Sequence, residues 1–367
     1  MLRRTWKATK IILLSLLGLI LILVAGAASY RAIRQHQNAT AMAIHTPNGI
    51  DEAMFVPIGG INQWITIRGR NRDSPAVLFV HGGPGTPNSP LNAFFAPYEK
   101  AFVVVQWDQR GAGRTYSRSG PIGERASIDL MAQDGIEVCE YVRRHLHRQK
   151  IILIGHSWGS VLGIRMAKAR PDLFVAYIGT GQIVSPEDSA VGYSQILAKA
   201  RAKNDTAAVQ ALLAAPPPFA DANKFSAFET VALNYEVRAN PMLNDLLPEL
   251  LTSPDYDLKD VWAWMRLGRA SSMMHFFGAR MDGPLASNDI RRLGLHFDTP
   301  IFVFQGAQDD ITPATVAEAW LDTLSAPNKT FALIAGGGHV ALFSHSDTFI
   351  RLIEQYASPL ATEPKDR

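Results

Sequence analysis

The chain has a single cysteine, Cys139, so no disulfide can form within it. It carries no H-E-x-x-H, no paired C-x-x-C and no phosphate-loop motif, so neither a metal nor an organic cofactor is implied. No internal repeat of solenoid period occurs, which excludes a stacked-repeat architecture. Charge is sparse, at 19% of residues, against 47% hydrophobic, which is a globular composition. Acidic residues are missing from the first ten positions, where Arg3, Arg4, Lys7 and Lys10 account for much of the formal net charge of +3. The remaining body is near neutral and has no electrostatic footprint for nucleic acid.

Charge is absent altogether from Ile11 to Ser29. About 20 apolar residues in a helix span a bilayer core, and flanking basic residues hold their end in the cytoplasm. Residues 1–30 are therefore expected to be a membrane anchor, with the body extracytoplasmic. The alternative is a signal peptide cleaved near Ala25-Gly26-Ala27, which would leave a secreted or periplasmic protein. Residues 31–50, polar and ending in Pro47-Asn48-Gly49, are expected to form a linker.

Beyond it, "EAMFVPIGGINQWITIRG" predicts two strands joined at Gly59-Gly60. The short apolar runs 76–83, 102–108, 150–155 and 174–181 alternate with helical patterns, one of them near 128–147. This alternation predicts an α/β fold whose mostly parallel sheet is flanked by helices. Residues 51–184 form its first part. From 185 to 297 the chain is rich in Ala, Leu, Met and Trp without strand alternation, and an inserted all-helical lid is expected. The α/β pattern resumes over 298–360, with an apolar run at 301–306 and another at 330–338. In such sheets ligands bind at the carboxyl ends of the strands.

"ILIGHSWGSVLG" places Ser157 between Gly155 and Gly159, after a strand and before a helix. This is G-x-S-x-G, a sharp turn that exposes a nucleophilic hydroxyl. A serine needs a base, and the base needs an orienting acid. In this arrangement the order along the chain is serine, acid, histidine. Asp309 and Asp310 follow one predicted strand, and His339 follows the last strand after three glycines. Either aspartate can serve as the acid, and His345 is a rival base on the surface. "HGGPG", residues 81–85, falls in the loop that supplies backbone N–H groups to a developing oxyanion. Gly83 and Trp158 are the expected donors. His81 and His156 sit beside sharp turns, where structural roles are expected. Asp108 and Arg110 are expected to form a polar network behind the HGGPG loop.

Together "HGGPG", "WDQRGAGRTYSR", "GHSWGS" and "QGAQDDITP" resemble the α/β-hydrolase superfamily and, within it, the proline iminopeptidases. The resemblance covers about 53–182 and 298–357. It implies a Ser157–Asp309–His339 triad working through an acyl-enzyme and, with Asp309 aligned to the family's acid, an aminopeptidase acting on peptides with N-terminal proline. The family holds the substrate amine with acidic lid residues, and here the chain departs from the pattern. "MMHFFG" has methionine where E-N-H-Y-F has glutamate, and "VWAWMRL" has the tryptophans of W-x-x-W-E without its acid. Glu236, Met274 and Phe276 are the candidate substrate-binding residues. A bound ammonium without a carboxylate is desolvated unpaired, so an esterase or amidase acting on small apolar acyl substrates is the alternative. A non-catalytic ligand-binding protein on the same fold is the rival from another class. The expected partners are a small-molecule or peptide substrate, and the membrane through the N-terminal segment.

Overall fold

The computed structural model describes residues 2–361 apart from Arg125. Eight strands form one sheet in the order β1-β2-β4-β3-β5-β6-β7-β8. They are β1 Ile50–Ile58, β2 Ile61–Gly69, β3 Ala76–Val80, β4 Val103–Asp108, β5 Ile151–His156, β6 Phe174–Thr180, β7 Ile301–Gly306 and β8 Lys329–Ile334. β2 runs antiparallel to β1 and β4, and the other neighbouring strands are parallel. The β1–β2 hairpin turns at Gly59 and Gly60, with φ of 54° and 78°. Both lie in the left-handed region that a two-residue turn with the twist of its strands requires.

Every residue of β3, β4, β5 and β7 is buried, as expected where helices cover both faces. That double covering explains why these strands are unbroken apolar runs. Helices α2 (Ile128–Leu146) and α3 (Trp158–Ala169) pack on each other. Ser127 caps α2, its side chain accepting the N–H of Leu130. The longer helices after β7 are Ala314–Thr323 and Ser346–Tyr356.

Between β6 and β7 the described chain contains helices and turns, apart from one isolated bridge, His296 with Ser325. The main helices of this insertion are α4 Asp188–Ala202, α5 Ala222–Ala239, α6 Leu246–Thr252, α7 Leu258–Trp262 and α8 Gly268–Phe277.

The N-terminal helix α1 spans Leu2–Met42, and the rest of the protein buries none of its apolar window. The linker expected at 31–50 is therefore shorter, because residues 31–42 are helical. No Pro or Gly interrupts this stretch, and polar side chains dock it on the insertion. Arg31 donates to the carbonyls of Leu251 (2.9 Å) and Tyr256 (2.6 Å). Gln35 donates to Ser253 O (2.7 Å), and Asn38 to Thr252 Oγ1 (2.9 Å). These acceptors lie at and just beyond the end of α6, where helix carbonyls lack intrahelical partners.

Candidate active site

β5 delivers Ser157 directly into α3. The serine has φ 52° and ψ −121°, a backbone conformation that costs a non-glycine residue about 1–3 kcal/mol. Its neighbours make the turn possible. A Cβ on Gly159 would stand 2.0 Å from the carbonyl oxygen of Val80, and one on Gly155 would stand 2.7 Å from that of Gly159. The elbow is held by Ser157 N–H donating to Thr180 O (3.0 Å) and by Ser160 Oγ donating to Ser157 O (2.6 Å).

His339 and Asp309 arrive from the ends of β8 and β7. The two loops touch because Gly306 has no side chain: a Cβ there would lie 2.1 Å from Gly338 O. His339 Nε2 is 3.0 Å from Ser157 Oγ, and His339 Nδ1 is 3.0 Å from Asp309 Oδ2. Asp309 also accepts the N–H groups of Ile311 and Thr312 (both 2.9 Å), the Thr312 hydroxyl (2.7 Å) and the Gln305 amide (2.8 Å). Burial alone would raise its pKa. The imidazole of His339 and these donors outweigh burial and hold Asp309 below the usual carboxylate range. Burial works to lower the pKa of His339, and the carboxylates of Asp309, Glu236 and Glu229 reverse this to a net rise.

Asp310 turns the other way, into an ion pair with Lys199 of α4. His345 bonds to the Ser344 hydroxyl (2.9 Å), outside the Ser157–His339–Asp309 chain. His156 meets the carbonyl of His339 (3.0 Å), and burial takes its pKa to about 3, so it stays neutral. His81 donates from Nδ1 to Gly82 O (2.8 Å) and accepts the N–H of Gln109 at Nε2 (3.2 Å). The expected Asp108–Arg110 network is two separate ones. Arg110 pairs with Asp134 (2.9 Å), while Asp108 accepts the hydroxyls of Ser89 and Tyr256.

The HGGPG loop passes directly over the elbow. A Cβ on Gly82 would sit 3.1 Å from Ser157 Cβ, and Gly83 has φ 113°. Trp158, wholly buried, donates its indole N–H to Gln109 (2.9 Å) and packs on Phe276 with ring centroids 4.3 Å apart.

A cavity of about 660 Å³ opens at Ser157, lined mainly by the insertion, with Gly83, Phe219, Phe225, Glu229 and Phe277 among its walls. The three substrate-binding candidates from sequence are not among the lining residues. Glu236 accepts the N–H groups of His339 (2.8 Å) and Val340 (3.0 Å), so it shapes the histidine loop. Phe276 supports Trp158, and Met274 is exposed on α8. Three acidic residues line the cavity: Asp188, which accepts the N–H groups of Val184 and Ser185, Glu187, which pairs with Arg291, and Glu229, two helical turns before Glu236 on α5. No hydrogen bond or ion pair reaches Glu229 among the described residues. Burial pushes its pKa up to about 7, against the pull of Arg269 and His339. Sequence carried a signal for it, because positions seven apart share a helix face.

A serine, imidazole and carboxylate hydrogen-bonded in series can take a proton from the hydroxyl and return it to a leaving group. Comparisons with known proteins show what the chain resembles. Over 314 residues the chain is 27% identical to a probable aminopeptidase, YbaC, of Bacillus subtilis, covering 82% of this chain and 94% of that one. The structure resembles the proline iminopeptidase of Mycobacterium smegmatis, with a TM-score of 0.60 at 17% identity, over 84% of this chain and 99% of that one. It also resembles a bacterial membrane phospholipase A, with a TM-score of 0.59 at 15% identity, over 95% of this chain and 99% of that one. The model of the alpha/beta hydrolase fold matches residues 75–346, and the chain belongs to that family of enzymes.

Proposed function

We propose that the protein is a serine aminopeptidase that holds the free amine of its substrate on Glu229. One observation carries this reading: the cavity that exposes Ser157 Oγ, 3.0 Å from His339 Nε2, also contains Glu229, a carboxylate without a hydrogen-bond or ion-pair partner among the described residues. A half-buried carboxylate without a partner is destabilising once ionised, and a substrate ammonium is the group that completes it.

In the proposed reaction Ser157 Oγ attacks the carbonyl carbon of the first peptide bond while its proton moves to His339 Nε2. Asp309 holds the imidazole tautomer and stabilises the imidazolium. The N–H groups of Gly83 and Trp158 receive the oxyanion. His339 then gives its proton to the leaving nitrogen and the C–N bond breaks. Water attacks the acyl-serine with His339 again as base, releasing the N-terminal residue. The apolar walls favour a compact apolar residue such as proline, and the insertion acts as the lid over this residue.

The second reading, hydrolysis of apolar esters, is favoured by the phenylalanines of the cavity, and Glu229 separates the two. Turnover of proline p-nitroanilide and p-nitrophenyl butyrate is compared for wild type, Ser157→Ala and Glu229→Gln. The aminopeptidase reading expects both activities to depend on Ser157 and only the amide to depend on Glu229. Ester cleavage alone overturns it in favour of the second reading.

The N-terminal helix is proposed to be a retained anchor, with the catalytic body extracytoplasmic. Its support is an uninterrupted helix through Ala25-Gly26-Ala27 that continues into docked residues. Membrane-extracted protein with an intact N-terminus is expected, and a mature chain starting near Ala28 would refute it.

A further inference from the structure

Resting on the anchor reading, we infer that α6 and α7 form a face that lies on the lipid bilayer, so that the insertion is docked on the membrane and not merely tethered to it. Two apolar stripes carry the inference. On α6, Leu247 and Leu251 are one turn apart, with Leu247 50% exposed. On α7, Leu258 and Trp262 are likewise one turn apart, 65% and 54% exposed, and Met265 follows on the next turn. Single exposed leucines are ordinary on a protein surface. Two adjacent helices that both turn aliphatic and indole side chains outward are not, and such patches mark protein or membrane contacts.

The position of α1 identifies the occupant. The connection between the two helices, residues 253–257, is the segment that α1 grips, through Arg31 and Gln35 to the carbonyls of Ser253 and Tyr256. Arg31 also grips Leu251 O, inside the first stripe. The apolar run of α1 ends at Tyr30, and at about 1.5 Å per residue Gln35 lies only about 8 Å further along the axis. The headgroup layer beside a bilayer core is about 5–8 Å thick. The clamp therefore sets the α6–α7 junction at headgroup depth, with an apolar stripe on each helix beside it. Tryptophan concentrates at this level, where its ring is apolar and its N–H is wet. Arg34, exposed on α1 between the clamping residues Arg31 and Gln35, can face phosphates.

The clamp also connects this face to the site. Tyr256, whose carbonyl receives Arg31, donates its hydroxyl to Asp108, which also accepts the hydroxyl of Ser89, and Ser89 lies in the loop that continues from HGGPG. Trp264, just beyond α7, donates to the carbonyl of Pro87 in that loop (2.8 Å).

The test uses the full-length chain in nanodiscs of phosphatidylcholine and phosphatidylglycerol with brominated acyl chains. A single fluorophore is attached at Leu251→Cys, Leu258→Cys, Ile22→Cys or Leu333→Cys in turn. The native Cys139 is buried and its thiol pKa is raised by burial, so it stays unlabelled. All four positions are exposed, so the substitutions leave the core intact. The inference expects bromine to cut emission by about half or more at Ile22, Leu251 and Leu258, consistent with side chains entering the headgroup–acyl boundary, and to leave Leu333 on β8 unchanged. Quenching at Ile22 without quenching at Leu251 and Leu258 overturns the docked face while the anchor stands. Absence of quenching at Ile22 removes the anchor and the inference together. Equal quenching at Leu333 also overturns it, because no particular face would then be selected.

Discussion

Glu229→Gln separates stability from function in one residue. The folded protein holds this carboxyl at a pKa of about 7, against 4.5 for an unperturbed glutamate, and burial is the cause. A group whose pKa is raised on folding contributes stability that is complete below the unfolded value and lost as pH rises through the folded value. At 1.36 kcal/mol per pH unit, ionising Glu229 in place costs the native state up to about 3 kcal/mol at pH 8. Glutamine has a similar shape and no charge. The variant is therefore expected to melt above wild type at pH 8, with the gap shrinking by about 2 kcal/mol, or a few degrees, at pH 5.5. Its kcat/KM for proline p-nitroanilide should fall by about 10²–10³, the loss expected for a desolvated charge pair of about 3–4 kcal/mol. Its ester activity should stay within about threefold of wild type. Equal melting temperatures at pH 8 would mean that solvent already stabilises the carboxylate. An amide activity unaffected by the substitution would refute the amine-holding role.

The neighbouring aspartates give a second contrast. Asp309→Asn should lower kcat by about 10⁴, because the amide favours the wrong imidazole tautomer. Asp310→Asn loses only the Lys199 pair and should stay within about tenfold. In a pH profile of kcat/KM on the ester, the acid limb should lie above pH 6.5, since His339 must be neutral to act as base and its pKa is raised. An acid limb well below pH 6 would show that the carboxylates around His339 do not govern it. Gly159→Ala places a methyl 2.0 Å from Val80 O and should abolish activity and soluble expression together.

The sheet was legible because its parallel strands are buried on both faces and so appear as unbroken apolar runs. The elbow was legible because three constraints coincide in five residues: a positive φ at Ser157 and close backbone contacts at Gly155 and Gly159. The second half of α1 was not, because residues 31–42 have no apolar periodicity. Their helix is held by side chains reaching carbonyls more than 200 positions away. Asp309 and Asp310 are equivalent in local pattern. What separates them is Lys199 on one side and His339 on the other, both remote in sequence. Asp108 and Arg110 looked like partners because they are close in the chain. A strand and a turn send them apart, to Tyr256 and to Asp134.

Glu236 and Glu229 show why the walls of the cavity are harder to read from sequence than the Ser157–His339–Asp309 arrangement. Ser157, Asp309 and His339 are fixed by strand ends, so topology alone gathers them on one edge of the sheet. The walls of the cavity come largely from the insertion, whose helices are placed by packing that no short motif records. Both glutamates lie on one face of α5, and the loop of His339 decides between them. It takes Glu236 through two N–H groups, and a Cβ on Gly338 would fall 2.5 Å from the Glu236 carboxyl carbon, so that carboxylate is spent on the backbone. Two turns earlier the helix has left the loop behind and runs along the cavity, where Glu229 meets no donor among the described residues. The difference between a structural acid and a free one is thus about 10 Å of helix rise.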